Sequence, residues 1–243
     1  MQMDQDGASV RSAPDGASLP EIFVDVLSHE LRTPITSIYG GAKLLLDDRL
    51  APETRASLLG DIAAEAEQLA RLVEDILAIA RLERDASDHG TEPVMLQRLA
   101  ASAAEAEERR WPQARVRLQV TTDVPAVRGD AGLIVQVLRN LIATGMKYSP
   151  DGEQVDVTVS HDHDAAQVTV RDRGPGFPAD AGRDAFDLFH RSPQVAAQVY
   201  GTGLGLYVAR ALIEAQDGKV WLRGRRGGGT EVGFTLPLYR EAA

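Results

Sequence analysis

Between residues 62 and 80 the apolar side chains Ile62, Ala66, Leu69, Val73, Ile76 and Ala80 recur at alternating steps of four and three. Such a heptad seam commits the segment to a long helix that buries one stripe against another helix. A second helical pattern lies upstream. Leu19, Ile22, Phe23, Val26, Ile35, Ile38, Ala42 and Leu45 also recur at threes and fours, which predicts a helix from Leu19 to about Leu46. Pro34 falls inside it, removes one backbone bond and should kink it. "DDRLAPET" punctuates the chain, and Pro52 then opens the second helix. Two such helices joined by a short turn have too little interior to stand alone. Pairing with a second copy into a four-helix bundle is the economical solution.

The polar stretch "ERDASDHGTEP", residues 83 to 93, breaks the helical period and marks a domain boundary. The expected organisation is a disordered leader at 1–17, the helical hairpin at 18–85, a linker at 86–92 and a second domain at 93–240. In that second domain a helix near 95–110 precedes the alternating strand "ARVRLQVTT", and a helix over 130–147 is entered through Asp130. "QVDVTVSH" and "AQVTVRDRG" flank a polar turn and predict a hairpin. A helix at about 203–217 and two closing strands, "KVWLRGRR" and "GGTEVGFTLPL", follow. Hairpin strands with helices grouped between them give an α+β layer sandwich.

The chain of 243 residues is long enough for two modest cores. Its net charge of −10 argues against nucleic-acid or anionic-membrane binding, which reward clustered Lys and Arg. The absence of cysteine excludes disulfides, thiol catalysis and cysteine-bound zinc. No apolar run approaches the roughly 18 residues of a membrane helix, and the leader lacks the pattern of a signal peptide. A soluble, reducing compartment is the expectation.

Three short strings carry chemistry. In "SHELRTPITSIYG", His29 and Thr33 share a helix face, and Glu30 can reach the imidazole from the side. A carboxylate beside a histidine can hold one tautomer and leave the other nitrogen free to attack an electrophile. The blander reading, a solvated helix histidine, is outweighed by the whole His-Glu-x-x-Thr-Pro string. "RDRGPGFP" puts Asp172 at a strand end beside glycines, where a planar ligand can approach and the carboxylate can accept from an exocyclic amine. "GTGLGL" leads into a helix whose N-terminus suits phosphate. Neither is a Rossmann fingerprint or a P-loop, and either alone reads equally as a turn.

In order, these strings resemble the catalytic core of two-component sensor histidine kinases, over about residues 20 to 238. "SHELRTP" resembles the family's H box, "QVLRNLIATGMKYSPDG" its N box, "DRGPG" its G1 box, "AFDLFHR" its F box and "GTGLGL" its G2 box. The resemblance implies a HisKA-type hairpin that dimerises into a four-helix bundle, followed by a Bergerat-type α/β sandwich of the HATPase_c kind. It implies His29 as phospho-acceptor, Glu30 as general base, and Thr33 as the residue orienting water when the partner regulator is dephosphorylated. ATP and Mg²⁺ are the implied cofactors. Asp172 would take the adenine amino group, with Gly174 and Gly176 shaping its pocket, and Asn140 would ligate Mg²⁺. Lys147 and Arg191 would face the phosphates, and Tyr148 would line the pocket. Phe186 and Phe189 would anchor a lid over His190 to Tyr200. Gly201, Thr202, Gly203, Leu204 and Gly205 would wrap the triphosphate. A homodimer, a cognate response regulator docked on the bundle and an upstream sensor module are the implied partners. The implied location is the cytoplasm, or the cytoplasmic part of a membrane-anchored sensor.

One position departs from the pattern. The family's N box carries a second Asn one turn after the first, and here Thr144 stands there. A threonine hydroxyl can ligate Mg²⁺, directly or through water, but is shorter. Losing one ligand could cost about 2–4 kcal/mol of transition-state stabilisation, by analogy with an oxyanion donor. That predicts a slowed kinase rather than a broken fold. The alternatives are a kinase-impaired scaffold or regulator phosphatase that binds nucleotide weakly, and an ATPase of the related chaperone and gyrase superfamily, which lacks the H box. His161 and His163 fall on a hairpin turn with no third ligand in view. Arg223, Arg225 and Arg226 read as a surface turn, and Trp111 and Trp221 as packing.

Overall fold

The computed structural model describes residues 19–47, 49–84, 92–121, 123–150, 152–177, 182, 184–187 and 203–240. The leader and nearly all of the expected linker lie outside them. Chain order is α1 (Leu19–Leu44), α2 (Pro52–Arg84), β1 (Glu92–Val94), α3 (Leu96–Arg110), β2 (Arg115–Val120), β3 (Val127–Gly129), α4 (Ala131–Tyr148), β4 (Gln154–His161), β5 (Ala165–Arg171), α5 (Gly205–Glu214), β6 (Lys219–Gly224) and β7 (Thr230–Pro237). A 3-10 turn at Asp184–Phe186 precedes α5.

By packing, the chain divides into two compact units between Ala70 and Arg71, inside α2 rather than at the linker. The reason lies in the last turns of α2, where Leu72, Asp75 and Ala78 are buried and Asp75 bonds to side chains of α4.

In the first unit, α1 and the start of α2 approach closely at Gly41, where a Cβ would meet the Ile62 side chain at 2.9 Å. α1 is one helix through Pro34, which is buried. Proline lacks an N–H, so the Glu30 carbonyl loses its usual helical donor. Nearby hydroxyls back-bond to the helix instead: Thr33 Oγ1 donates to the His29 carbonyl at 3.3 Å and Thr36 Oγ1 to that of Arg32 at 2.8 Å. Ile35, Tyr39, Leu44 and Leu59 remain exposed. The heptad seam is only part covered: Ala66 and Val73 are exposed, while Ile62, Leu69, Ile76 and Ala80 are half-buried. A seam of this kind needs helix surface on both sides to be fully covered.

In the second unit a mixed sheet has the order β2-β4-β5-β7-β6, with only the β2–β4 pair parallel. Register places Val157 opposite Val170 and Val159 opposite Val168, then Val168 opposite Phe234 and Val170 opposite Val232. Side chains alternate across a strand, so these form one continuous apolar face. Thr158, Gln167, Arg171 and Glu231 line the other face, where Arg171 and Glu231 pair across strands. Helices α3, α4 and α5 cover the apolar face, giving two layers. α4 covers its middle, against β4, β5 and β7. Its Leu133, Ile134, Val137, Leu138, Leu141 and Ile142 are buried at helical spacing, each such burial worth about 1.5–3 kcal/mol. Asp130 caps α4 by accepting from Leu133 N at 3.0 Å, and Ser149-Pro150 ends it.

Two features were not foreseen. β1 and β3 pair in a separate two-stranded sheet, which Glu92 opens at the end of the expected linker. The fully buried amide of Gln216 ties α5 to α4: its Oε1 accepts from Asp130 N at 2.7 Å, and its Nε2 donates to the Leu212 carbonyl at 2.7 Å.

Candidate functional site

α4 has two faces. One is the core face, and the other carries Asn140, Thr144, Lys147 and Tyr148, all half-buried and one or two turns apart. The predicted residues of "NLIATGMKYSPDG" therefore share a side of one helix. At the C-terminal end of α4 the loop after β5 comes close. A Cβ on Gly174 would sit 2.5 Å from the Tyr148 carbonyl oxygen, so only glycine permits the approach. Arg173 N reaches Ser149 Oγ at 3.4 Å.

Asp172 stands at the head of that loop, 5% exposed. Its Oδ1 accepts from the backbone N–H of Gly174 at 2.8 Å and of Thr230 at 3.0 Å. Burial pushes its carboxyl above the ordinary aspartate range, and the donors of Gly174 and Thr230, with the Arg225 charge, lower it in part. A buried carboxylate fixed by backbone donors is a rigid acceptor for a ligand N–H. Gly176 takes a positive φ of 80° beside the Gly229 backbone.

The β6–β7 turn, read from sequence as surface, is part of this wall. Arg225 Nη1 donates to the Asp172 carbonyl at 2.6 Å. A Cβ on Gly229 would collide with that same carbonyl, and Gly229 has a positive φ of 91°. The signal available in the sequence was the Gly-Gly-Gly run, but nothing in its spacing said which strand end it would face. Arg223 pairs with Glu231 at 2.9 Å.

Gly203, Leu204 and Gly205 lead into α5. Gly203 has a positive φ of 68°, Leu204 is fully buried, and no side chain caps the helix. Its N-terminus lies beside Asn140, whose Cγ would be 3.8 Å from a Cβ on Gly205. A helix N-terminus favours an anion, so an amide and an anion-binding helix end are adjacent. Phe189, Arg191, Gly201 and Thr202 lie outside the described residues, as does the expected lid. Phe186 is buried in its 3-10 turn.

Around Asn140 the oxygens suit a hard cation brought in on a phosphate. Among the described residues no three His, Asp or Glu side chains cluster as a metal cage. What is present is the amide of Asn140 and the hydroxyl of Thr144, which donates its proton to the Asn140 carbonyl at 2.6 Å and keeps lone pairs. Neutral oxygens completed by phosphate and water fit Mg²⁺. The Asn140 Nδ2 donates to Asp75 Oδ1 at 3.0 Å, and Gln136 Nε2 donates to the same oxygen at 2.9 Å. Burial pushes the Asp75 carboxyl up, and these two amides lower it in part. Asp75 was missed from the sequence, though an acid three residues after Leu72 and three before Ala78 was the available signal.

His29 is on α1 in the first unit, its side chain 74% exposed. Its Nδ1 lies 3.7 Å from Glu30 Oε1. Thr33 sits one turn on, half-buried, its hydroxyl turned to the helix backbone. His161 Nδ1 lies 3.0 Å from the Asp162 carbonyl on the exposed β4–β5 turn. No described helix is long and apolar enough to cross a membrane.

Residues 21–85 match the family model of the His Kinase A (phospho-acceptor) domain, and residues 129–240 that of the histidine kinase-, DNA gyrase B- and HSP90-like ATPases. A probable sensor histidine kinase, TcrY of Mycobacterium tuberculosis, is 33% identical over 218 residues, covering 89% of this chain and 45% of TcrY. Full-length ShkA, solved with AMPPNP, is 28% identical with a TM-score of 0.63, over 91% of this chain and 47% of ShkA. ThkA, solved in complex with the response regulator TrrA, shares the fold with a TM-score of 0.67 at 23% identity, over 91% of this chain and 63% of ThkA. The chain spans about half the length of the curated relatives it matches. The phospho-acceptor and ATPase matches follow one another along a single chain, and the likeness to sensor kinases runs through both; the chain belongs to the sensor histidine kinases of two-component signalling.

Proposed function

We propose that this chain is an ATP-dependent autokinase that phosphorylates His29 and passes the phosphoryl group to an aspartate of a response regulator. The observation that carries the nucleotide half of this reading is Asp172. It is a buried carboxylate with backbone-fixed geometry, in the same unit as an amide that lies beside an uncapped helix end. Asp172 accepts from the adenine amino group, and the approach of Gly174 to Tyr148 keeps the pocket wall flat. The start of α5 and Lys147 receive the phosphates. Asn140, with Thr144 directly or through water, holds Mg²⁺, which neutralises charge on the triphosphate.

On the acceptor side, Glu30 stands near enough to His29 Nδ1 to hold its proton once the two close to hydrogen-bond distance. That leaves the Nε2 lone pair outward. Nε2 forms the bond to the γ-phosphorus, and the bond from phosphorus to the β–γ bridging oxygen breaks as ADP leaves. The exposed apolar side chains of α1 and α2 fit a homodimeric four-helix bundle. We assign regulator docking to that bundle, sensing to an upstream module, and the location to the cytoplasmic side of any membrane anchor.

Thr144 favours a second reading. With one N-box amide missing, the chain could serve as a scaffold or as a regulator phosphatase using Thr33. Radiolabelled ATP with Mg²⁺, offered to the parent, His29→Ala and Thr144→Asn, separates the two. The autokinase reading expects label on the parent, none on His29→Ala, and a rate at least about tenfold higher in Thr144→Asn. Label absent from the parent but present on Thr144→Asn would favour the second reading. ATP hydrolysis unchanged in His29→Ala would point to an ATPase instead.

A further inference from the structure

We propose that Asp75 is a latch on the metal-binding amide: it holds Asn140 in a setting that a magnesium-bound triphosphate must break to bind. The proposal rests on the assignment of Asn140 to Mg²⁺ made above.

The geometry is specific. Asp75 is buried on the last turns of α2, and its Oδ1 accepts from both Asn140 Nδ2 and Gln136 Nε2, at 3.0 and 2.9 Å. Gln136 and Asn140 are one turn apart on α4, in the same row as Thr144. A carboxylate oxygen only accepts, so it fixes the nitrogen of the amide toward α2. The same nitrogen, not the oxygen, is the polar amide atom nearest a Cβ on Gly205, at 3.9 Å, so the amide must turn over to offer its oxygen at the start of α5. The carboxylate also puts a negative charge within hydrogen-bond reach of the residue assigned to the metal.

The latch is built to be exchangeable. Among the described residues, the donors bonded to this carboxylate are two neutral amides, which repay burial of a charge only in part. Arg139, which lines the same cleft of about 210 Å³, is engaged by Glu107 at 3.1 Å. Both hydrogen bonds of the latch join side chains, so rotamer changes can release them without disturbing a strand or helix. If only the unlatched fraction binds, the apparent dissociation constant equals the intrinsic one divided by that fraction.

Equilibrium binding of AMPPNP, with and without Mg²⁺, tests this on the whole chain. Asp75→Ala should bind Mg·AMPPNP at least about fivefold tighter than the parent. In the Asp75→Ala protein the Asn140 side-chain NH₂ resonance should move from its parent position before any nucleotide is added. Should Asp75→Ala fail to fold, Asp75→Leu, which also removes the acceptor, carries the same expectation. Affinity unchanged or weakened in the folded variants, against a magnesium-dependent parent, overturns the latch alone. A parent whose affinity ignores Mg²⁺, and which Asn140→Ala leaves unaltered, overturns the assignment of Asn140 and the latch with it.

Discussion

The two ends of the candidate nucleotide site are held by different means. At Asp172 the backbone N–H groups of Gly174 and Thr230 donate to the carboxylate, the Thr230 hydroxyl adds to them, and its own carbonyl is gripped by Arg225. At Asn140 the amide is held by another side chain, Asp75. Backbone donors embedded in a loop and a strand cannot rotate away, whereas a side-chain partner can. One end is a template and the other a contact that can be exchanged. Pre-organisation in one site can be uneven, rigid at one end and adjustable at the other.

The strongest way to break this contrast is Asp172→Ala. It would orphan two buried N–H groups, at about 1–3 kcal/mol each. We expect a loss of about 2–5 kcal/mol in denaturant unfolding, together with loss of measurable nucleotide binding. A variant as stable as the parent would show that the loop is fixed by something else. Next is Gly174→Ala, whose Cβ would meet the Tyr148 carbonyl oxygen at 2.5 Å and carbon at 3.0 Å. Backbone must shift there, so about 1–3 kcal/mol should be lost, with weakened nucleotide affinity.

Asp172→Asn sharpens the contrast through pH. The amide keeps an oxygen for Gly174 and Thr230 but carries no charge to desolvate. Burial raises the folded-state pKa of Asp172 above its unfolded value. Its relative contribution is therefore fully favourable below the unfolded pKa and is lost as pH rises through the folded one. The stability of Asp172→Asn relative to the parent should accordingly grow as pH rises from about 4 toward neutrality, while affinity for adenine nucleotides falls. An advantage that shrank over that window would contradict the buried-charge account. The smallest effect is expected at the other end. Thr144→Val removes a hydroxyl bonded only to the preceding turn of its own helix, among the contacts described. Unfolding should change by less than about 0.5 kcal/mol, although the proposed metal site would lose an oxygen.

How much of this was legible follows from the range of each interaction. The core helix α4 was readable because period and cap are local: Asp130 precedes apolar positions at threes and fours, and Pro150 follows. The β4–β5 hairpin was readable for the same reason. Asp172, Gly174 and the start of α5 were flagged by glycine spacing, and the structure places them around one helix face. Arg225 and Gly229 were misjudged because they act 53 and 57 residues from Asp172 along the chain. Their role depends on β7 pairing with β5, which spacing does not encode. Asp75 was hidden for a related reason. Its helix was assigned to the hairpin, while its side chain bonds to α4. The three-residue strands β1 and β3 are too short to show a period.

The shared amide of Gln216 has one more consequence. Because it grips Asp130 N at the beginning of α4 and the Leu212 carbonyl near the end of α5, the two helices are braced like adjoining sides of a frame. Whatever steadies the first turn of α5 should also quiet the opposite corner, so slowed solvent exchange of the Asp130 amide would register occupancy from the far end of both helices.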